Sequence, residues 1–164
     1  MPWRDKTYGR ERNTIMEKEK TNSLLEKALR IAMECHAGQT DKAGAPYIFH
    51  PVRVACRCEN DLERIVALLH DTVEDSDMTP ERLLAEGFPR DIVEAVISVT
   101  HYEEEKYSDY VRRCALNSVG RNVKLHDLED NMDISRLRQV TEKDLKRLNK
   151  YLIAYRFLRG NESE

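Results

Sequence analysis

Apolar residues recur at intervals of three and four through most of this chain, and no stretch alternates convincingly between apolar and polar as a strand would. That period calls for helices, because residues three and four apart share a face only on a helix. Leu24, Leu25, Ala28, Leu29, Ile31, Ala32 and Cys35 form one such face, with Asn22 or Ser23 as its cap. The loop "AGQTDKAGAPY" follows, punctuated by Gly38, Gly44 and Pro46. "HPVRVACRC" is a short helix that starts at Pro51, a favoured first helical position, and turns Val52, Val54 and Ala55 inward. Asn60 or Asp61 caps the next helix, "LERIVALLHDTVED".

The second half of the chain continues in the same way. Thr79 caps "TPERLLAEGF", with Pro80 in its first turn, Glu81 near the positive helix end and Gly87 as the stop. "RDIVEAVISVTH" and "SDYVRRCAL" read as two more helices. Gly120 interrupts, and "RNVKLHDLEDNMDI" gives another. Thr141 and Asp144 resemble a capping box opening the last helix, whose Leu145, Leu148, Leu152, Tyr155 and Phe157 largely recur at helical spacing. The fold class is all-α, a compact single domain.

A chain of 164 residues suits one domain with a real core. Residues 1–20 read as a charged, flexible segment or a frayed leading helix, 21–159 as the domain and 160–164 as a tail. The net charge of -3 argues against a general nucleic-acid or membrane-surface binder. Cys56 and Cys58 form C-x-C without a second pair, so with Cys35 and Cys114 they read as reduced cysteines rather than zinc ligands or disulfides. There is no apolar run of about 18 residues and no apolar core near the N-terminus. The expected location is cytoplasmic, with no membrane partner. A homo-oligomer stays open.

In "ALLHDTVED" an apolar helix face turns acidic within a few residues. His70 and Glu74 are four apart, and so are Asp71 and Asp75, so each pair stacks on one helix surface. Burying such groups without partners costs about 2–7 kcal/mol for a polar group and more for a charge. A neutral imidazole beside a carboxylate suits a divalent metal, but further ligands must come from elsewhere. His50, between "YIF" and Pro51, and Asp127, in "VKLHDLEDNMD", are the candidates. Asp127, Asp130 and Asn131 share roughly one helix face. The plainer readings are a solvated acidic stripe and a histidine satisfied in the core. Convergence of three segments, each at the edge of an apolar helix, favours the metal.

These motifs carry a resemblance. "HAGQTDKAGAPYIFHPVRVA", "ALLHDTVED" and "VKLHDLEDNMD" resemble the HD-domain metal-dependent phosphohydrolases. Among these they are most similar to the hydrolase domain of RelA/SpoT-type enzymes and to the stand-alone small alarmone hydrolases. The resemblance runs from about Leu24 to about Leu137. It implies a helical HD fold and a divalent metal, typically manganese, held by His50, His70, Asp71 and Asp127. Glu74 and Asp75 match the pair that positions and activates the hydrolytic water. Asn131 and Lys42 match residues near the nucleotide. Because the substrate would be polyanionic, Lys124, Arg53 and Arg136 are further candidate cations for its phosphates, with a solvated surface charge as the plainer reading of Arg53 and Arg136. Two positions depart from the pattern. Asp41 stands where the alarmone hydrolases usually have arginine, and Asp133 stands where the long enzymes commonly have it.

The implied activity is hydrolysis of a phosphorylated nucleotide, with guanosine 3′,5′-bis(diphosphate) and loss of its 3′-pyrophosphate as the family's case. Asp41 and Asp133 remove positive charge, which keeps open a phosphatase or pyrophosphatase for a different nucleotide. A metal-bound, non-catalytic nucleotide-binding module is a third reading. The presence of Glu74 and Asp75 argues against that one.

Overall fold

The computed structural model describes residues 6–160, with side chains from Asn13 onward. Among these residues the helices are α1 (Lys6–Cys35), α2 (Phe49–Arg57), α3 (Asp61–Leu69), α4 (Thr72–Asp75) and α5 (Pro80–Ala85), then α6 (Arg90–Ser98), α7 (Tyr107–Ala115), α8 (Ser118–Met132) and α9 (Glu142–Leu158). A 3-10 turn spans Ile134–Arg136, and one isolated bridge, Thr40 with Pro46, ties the loop between α1 and α2. The all-α expectation holds. Residues 1–5 and 161–164, on which parts of the expected N-terminal segment and C-terminal tail fall, lie outside the described residues.

α3 is the centre of the fold. Asn60 caps it by accepting the Glu63 N–H at 2.9 Å, and Ile65 to Leu69 are all buried. It packs against α1, α2, α6 and α8. Five successive buried residues leave α3 no solvent face in that stretch, so its C-terminal end delivers His70 directly into the interior.

Several boundaries differ from the expectation. α1 begins at Lys6 and not at the Asn22 or Ser23 cap. Residues 16–20, Met-Glu-Lys-Glu-Lys, are strong helix formers, and the Thr21 hydroxyl bonds back to the Glu17 carbonyl at 2.9 Å instead of breaking the turn. Pro51 is the third residue of α2, still inside the turn where its missing N–H costs nothing. Gly120 lies within α8, whose cap is Asn117, accepting the Gly120 N–H at 2.9 Å. A β-carbon there would meet Ser98 Oγ at 2.0 Å. The glycine lets α8 lie close against α6 and does not end a helix.

The segment "LERIVALLHDTVED" is two helices. His70 Nδ1 engages the Ala67 carbonyl at 2.6 Å, and the Thr72 hydroxyl takes the Leu69 carbonyl at 2.7 Å. These side chains claim acceptors of the helix end, and the run breaks at His70–Asp71. On α9, Thr141 and Asp144 form the expected capping box. Its anticipated apolar face turns inward only in part, since Leu145 is 54% and Phe157 39% exposed while Leu148 and Tyr155 are half-buried. Ala154 and Leu158 are the buried residues, with Tyr151 and Tyr155 half-buried beside them, on the side that packs against α7 and α8.

The four cysteines carry no disulfide. No helix among the described residues is long and apolar enough to cross a membrane.

Candidate metal centre

The start of α2, the break between α3 and α4, and the middle of α8 meet at one point. His50 Nε2 lies 3.1 Å from Asp127 Oδ1 and 3.6 Å from Asp71 Oδ2. His70 Nε2 lies 3.0 Å from Asp71 Oδ2 and 3.6 Å from Asp127 Oδ1. The ligand atoms of His50, His70 and Asp127 all fall within 4.8 Å of one another, and all three residues are buried. The His70–Asp71 contact is close but lacks the alignment of a hydrogen bond, which leaves the buried His70 Nε2 without a partner.

That orphan atom is a test of whether the donors fit a divalent metal. His70 is anchored through Nδ1 on the Ala67 carbonyl, and His50 through Nδ1 on Asp130 Oδ2 at 2.7 Å. Both rings therefore turn Nε2 to the same point as the two carboxylates. Two imidazole nitrogens and the Asp127 carboxylate lie within 4.8 Å of one another, Asp71 Oδ2 stands against both rings, and the rear of each ring is held, which is a donor set and an outer shell that suit a divalent metal. The residues fit the ion.

Further donors hold the two acids. The Tyr47 hydroxyl donates to Asp71 Oδ2 at 2.6 Å. Lys124 Nζ donates to Asp127 Oδ2 at 2.7 Å, and Asn131 Nδ2 to Asp127 Oδ1 at 2.6 Å. Burial alone would raise the carboxyl pKa of both acids. A protonated His70 beside Asp71 outweighs it and lowers that carboxyl, as a bound cation in its place would. Lys124 beside Asp127 does the same, well below the usual range. Both ligands stay ionised and ready for a cation.

Glu74 and Asp75 line the same cleft of about 300 Å³. They are solvent-accessible at its mouth. Glu74 Oε2 accepts the His101 backbone N–H at 3.0 Å, which fixes the carboxylate. Desolvation raises both carboxyls, most strongly among the causes, and nearby Asp71 adds to it.

An adjoining cleft of about 320 Å³ shares His50, Asn131 and Tyr47 with the first and is lined by Lys42, Arg53 and Arg136. The structure thus brings together every site residue expected from the sequence, but not all in free form. Lys124 is paired with Asp127, Arg53 with Asp130, and Arg136 with both Asp41 and Asp130. Lys42 is exposed, with its side chain at the cleft.

Several site residues escaped sequence reasoning. Tyr47, His101, Tyr107, Lys150 and Tyr151 all line the metal cleft. None belongs to a metal-ligand pattern, and the last three come from α7 and α9, which close over the site from far along the chain. Tyr47 alone carried a local signal, three residues before His50 in the quoted loop.

No family model matches the chain. Curated relatives do. The guanosine-3′,5′-bis(diphosphate) 3′-pyrophosphohydrolase of Vibrio cholerae is 40% identical over 89 residues, 52% of this chain and 12% of that protein. The enzyme of that name in Aquifex aeolicus is 35% identical over 118 residues, 66% of this chain and 17% of that protein. The bifunctional (p)ppGpp synthase/hydrolase SpoT of Escherichia coli is 37% identical over 89 residues. This chain is related to the RelA/SpoT-type hydrolases. It spans less than a fifth of the length of these relatives. A solved structure described as a metazoan ortholog of SpoT that hydrolyses ppGpp superposes with a TM-score of 0.69 and 22% identity, covering 85% of this chain and 88% of that one. The chain therefore shares the helical fold of that protein.

Proposed function

We propose that this chain is a metal-dependent phosphohydrolase acting on a phosphorylated nucleotide, with manganese as its metal and guanosine 3′,5′-bis(diphosphate) as the first substrate to test. The observation that carries the reading is the convergence of His50 Nε2, His70 Nε2 and Asp127, with Asp71 Oδ2 against both rings, next to the cleft that Glu74 and Asp75 line. The names of the bacterial relatives supply the substrate class.

A divalent ion held by those four residues would lower the pKa of a water from 15.7 towards about 7–9 and polarise a phosphoryl oxygen. The protein's own groups then have defined tasks. Glu74, held by the His101 N–H, accepts a proton from the attacking water, and Asp75 beside it is the second acceptor. Lys124 keeps Asp127 ionised through the cycle. Asn131 orients Asp127 and reaches the adjoining cleft. Lys42, Arg53 and Arg136 line that cleft and receive the nucleotide's anionic groups. With an alarmone, the bond from phosphorus to the nucleotide 3′-oxygen breaks, that oxygen takes up a proton, and pyrophosphate leaves.

One observation favours a second reading in which the substrate is a less charged nucleotide. Asp41 and Asp133 line the nucleotide-side cleft, and two of its cations, Arg53 and Arg136, are already engaged by acids. A cytoplasmic location, and a small-molecule substrate in place of nucleic acid or membrane, complete the proposal. The test is a screen of phosphorylated nucleotides with manganese, magnesium or zinc added, reading phosphate against pyrophosphate. Pyrophosphate from guanosine tetraphosphate supports the first reading, and phosphate or pyrophosphate from another nucleotide supports the second. No release from any nucleotide with any of the three metals overturns both.

A further inference from the structure

Asp130 is a carboxylate with no solvent exposure, packed between α2 and α8 behind the metal centre. Its Oδ2 receives His50 Nδ1 at 2.7 Å and Arg53 Nη2 at 2.9 Å. Its Oδ1 receives Arg53 Nε at 2.8 Å and Arg57 Nη1 at 2.7 Å. Arg136 Nη2 reaches Oδ2 at 3.3 Å and the Asp130 carbonyl at 3.0 Å. A buried carboxylate alone is strongly unfavourable, whereas one met by three guanidinium groups stays ionised.

The ionisation has a consequence for His50. An ionised carboxylate only accepts hydrogen bonds, so the proton it shares with His50 belongs to Nδ1. A histidine with its proton on Nδ1 keeps the Nε2 lone pair for a metal. The Nε2 atom is the one facing Asp71 and Asp127. His70 reaches the same state by a different route, a backbone carbonyl behind its Nδ1. The two histidines of the site are thus held from behind by unlike partners, and the one behind His50 carries a charge cluster.

We propose that Asp130, set in its cradle of Arg53, Arg57 and Arg136, is the positioning residue for His50, and that this cradle joins the metal ligand to the nucleotide-side cleft. The inference rests on the metal site described under Proposed function. Two of the three arginines, Arg53 and Arg136, form part of that cleft's wall. Arg136 also bridges from Asp130 to Asp41, so one ionic chain runs from the substrate-facing loop to the rear of a metal ligand. A purely structural staple between α2 and α8 would use the same contacts but would not control metal affinity in a protein that stays folded.

The experiment compares manganese affinity by calorimetry in the full chain, Asp130→Asn and Asp130→Ala, with circular dichroism and melting temperature measured on each. Loss of such an outer-shell partner lowers metal affinity by about 10–100-fold, and alanine is expected at the upper end, asparagine at the lower, because its amide oxygen still accepts from Nδ1. Folded variants that bind manganese as the wild type does, with only the melting temperature lowered, overturn the proposal. Should neither variant fold, the long-range proton–nitrogen spectrum of the zinc-loaded wild type decides. A His50 Nδ1 proton protected from exchange with water, as one held by a buried carboxylate is, supports the positioning role, and a freely exchanging or absent one overturns it. A wild type that binds no divalent metal overturns the site reading itself, and with it this inference.

Discussion

Asp41 Oδ2 lies 3.1 Å from Arg136 Nη1, at the edge of the cleft lined by Lys42 and Arg53. The other oxygen, Oδ1, accepts the backbone N–H groups of Ala43 and Ala45, both at 2.9 Å. The residue that departs from the alarmone-hydrolase pattern therefore builds its own loop and is balanced by an arginine from the 3-10 turn. From sequence, an anion here would repel a polyphosphate, and Asp41→Arg would be expected to improve binding of guanosine tetraphosphate. The contacts of Asp41 weigh against a gain from that substitution. Asp41→Arg removes three acceptor contacts and sets a cation against Arg136. We expect a loss of about 1–3 kcal/mol in stability and no gain in turnover of guanosine tetraphosphate. Melting curves and steady-state kinetics with manganese check both, and a variant that is as stable and faster would restore the repulsion account.

Glu74→Gln should retain the metal and lose turnover. The amide still accepts the His101 N–H through its oxygen but cannot take a proton from water. Removal of a general base costs about 10²–10⁴-fold in rate. Parallel metal analysis and single-turnover kinetics test this, and full activity would move the role to Asp75.

The same residue gives a pH prediction. Desolvation lifts the Glu74 carboxyl above its usual 4.5, the His101 N–H opposes the rise, and Asp71 and Asp75 reinforce it. A carboxyl raised by folding binds its proton more tightly in the folded state. Its contribution to stability is fully present below pH 4.5 and is lost as pH rises through the raised value. Metal-free Glu74→Gln should therefore melt like the wild type near pH 4 and higher than it near pH 7. A glutamine variant that melts lower at neutral pH would mean that the hydrogen bond to His101 outweighs the desolvation.

Gly120→Ala should destabilise the fold, because the new β-carbon would stand 2.0 Å from Ser98 Oγ and 3.2 Å from Val99 Cγ1. Overpacking of this kind costs about 1–3 kcal/mol. Ser98→Ala removes the nearest atom, so the double variant should recover part of the loss. Denaturant midpoints of both single variants and the double measure the coupling, and strict additivity would show that the two positions do not meet.

The helices were largely legible because their signals are local. Asn60, Thr79 and Thr141 cap where sequence placed them. Gly87 stops α5 with φ +90. The candidate metal ligands were legible because their residue types are chemically restricted and sit at helix edges. Other features rest on contacts that no local pattern encodes. Gly120 reads as a breaker until Ser98 is seen against it. The break at His70–Asp71 depends on two side chains taking backbone carbonyls. Asp130 looks like one more acid on a polar stripe until Arg53, Arg57 and His50 arrive from 73 to 80 residues away.

The most direct measurement is crystallographic: crystals grown with manganese, with anomalous diffraction collected on the wild type and on Asp127→Ala. The account predicts a single strong anomalous peak in the wild type, within bonding distance of His50 Nε2, His70 Nε2, Asp71 and Asp127, and its loss in the variant. A wild-type map with no peak among those four side chains, or a peak that survives in Asp127→Ala, would contradict it.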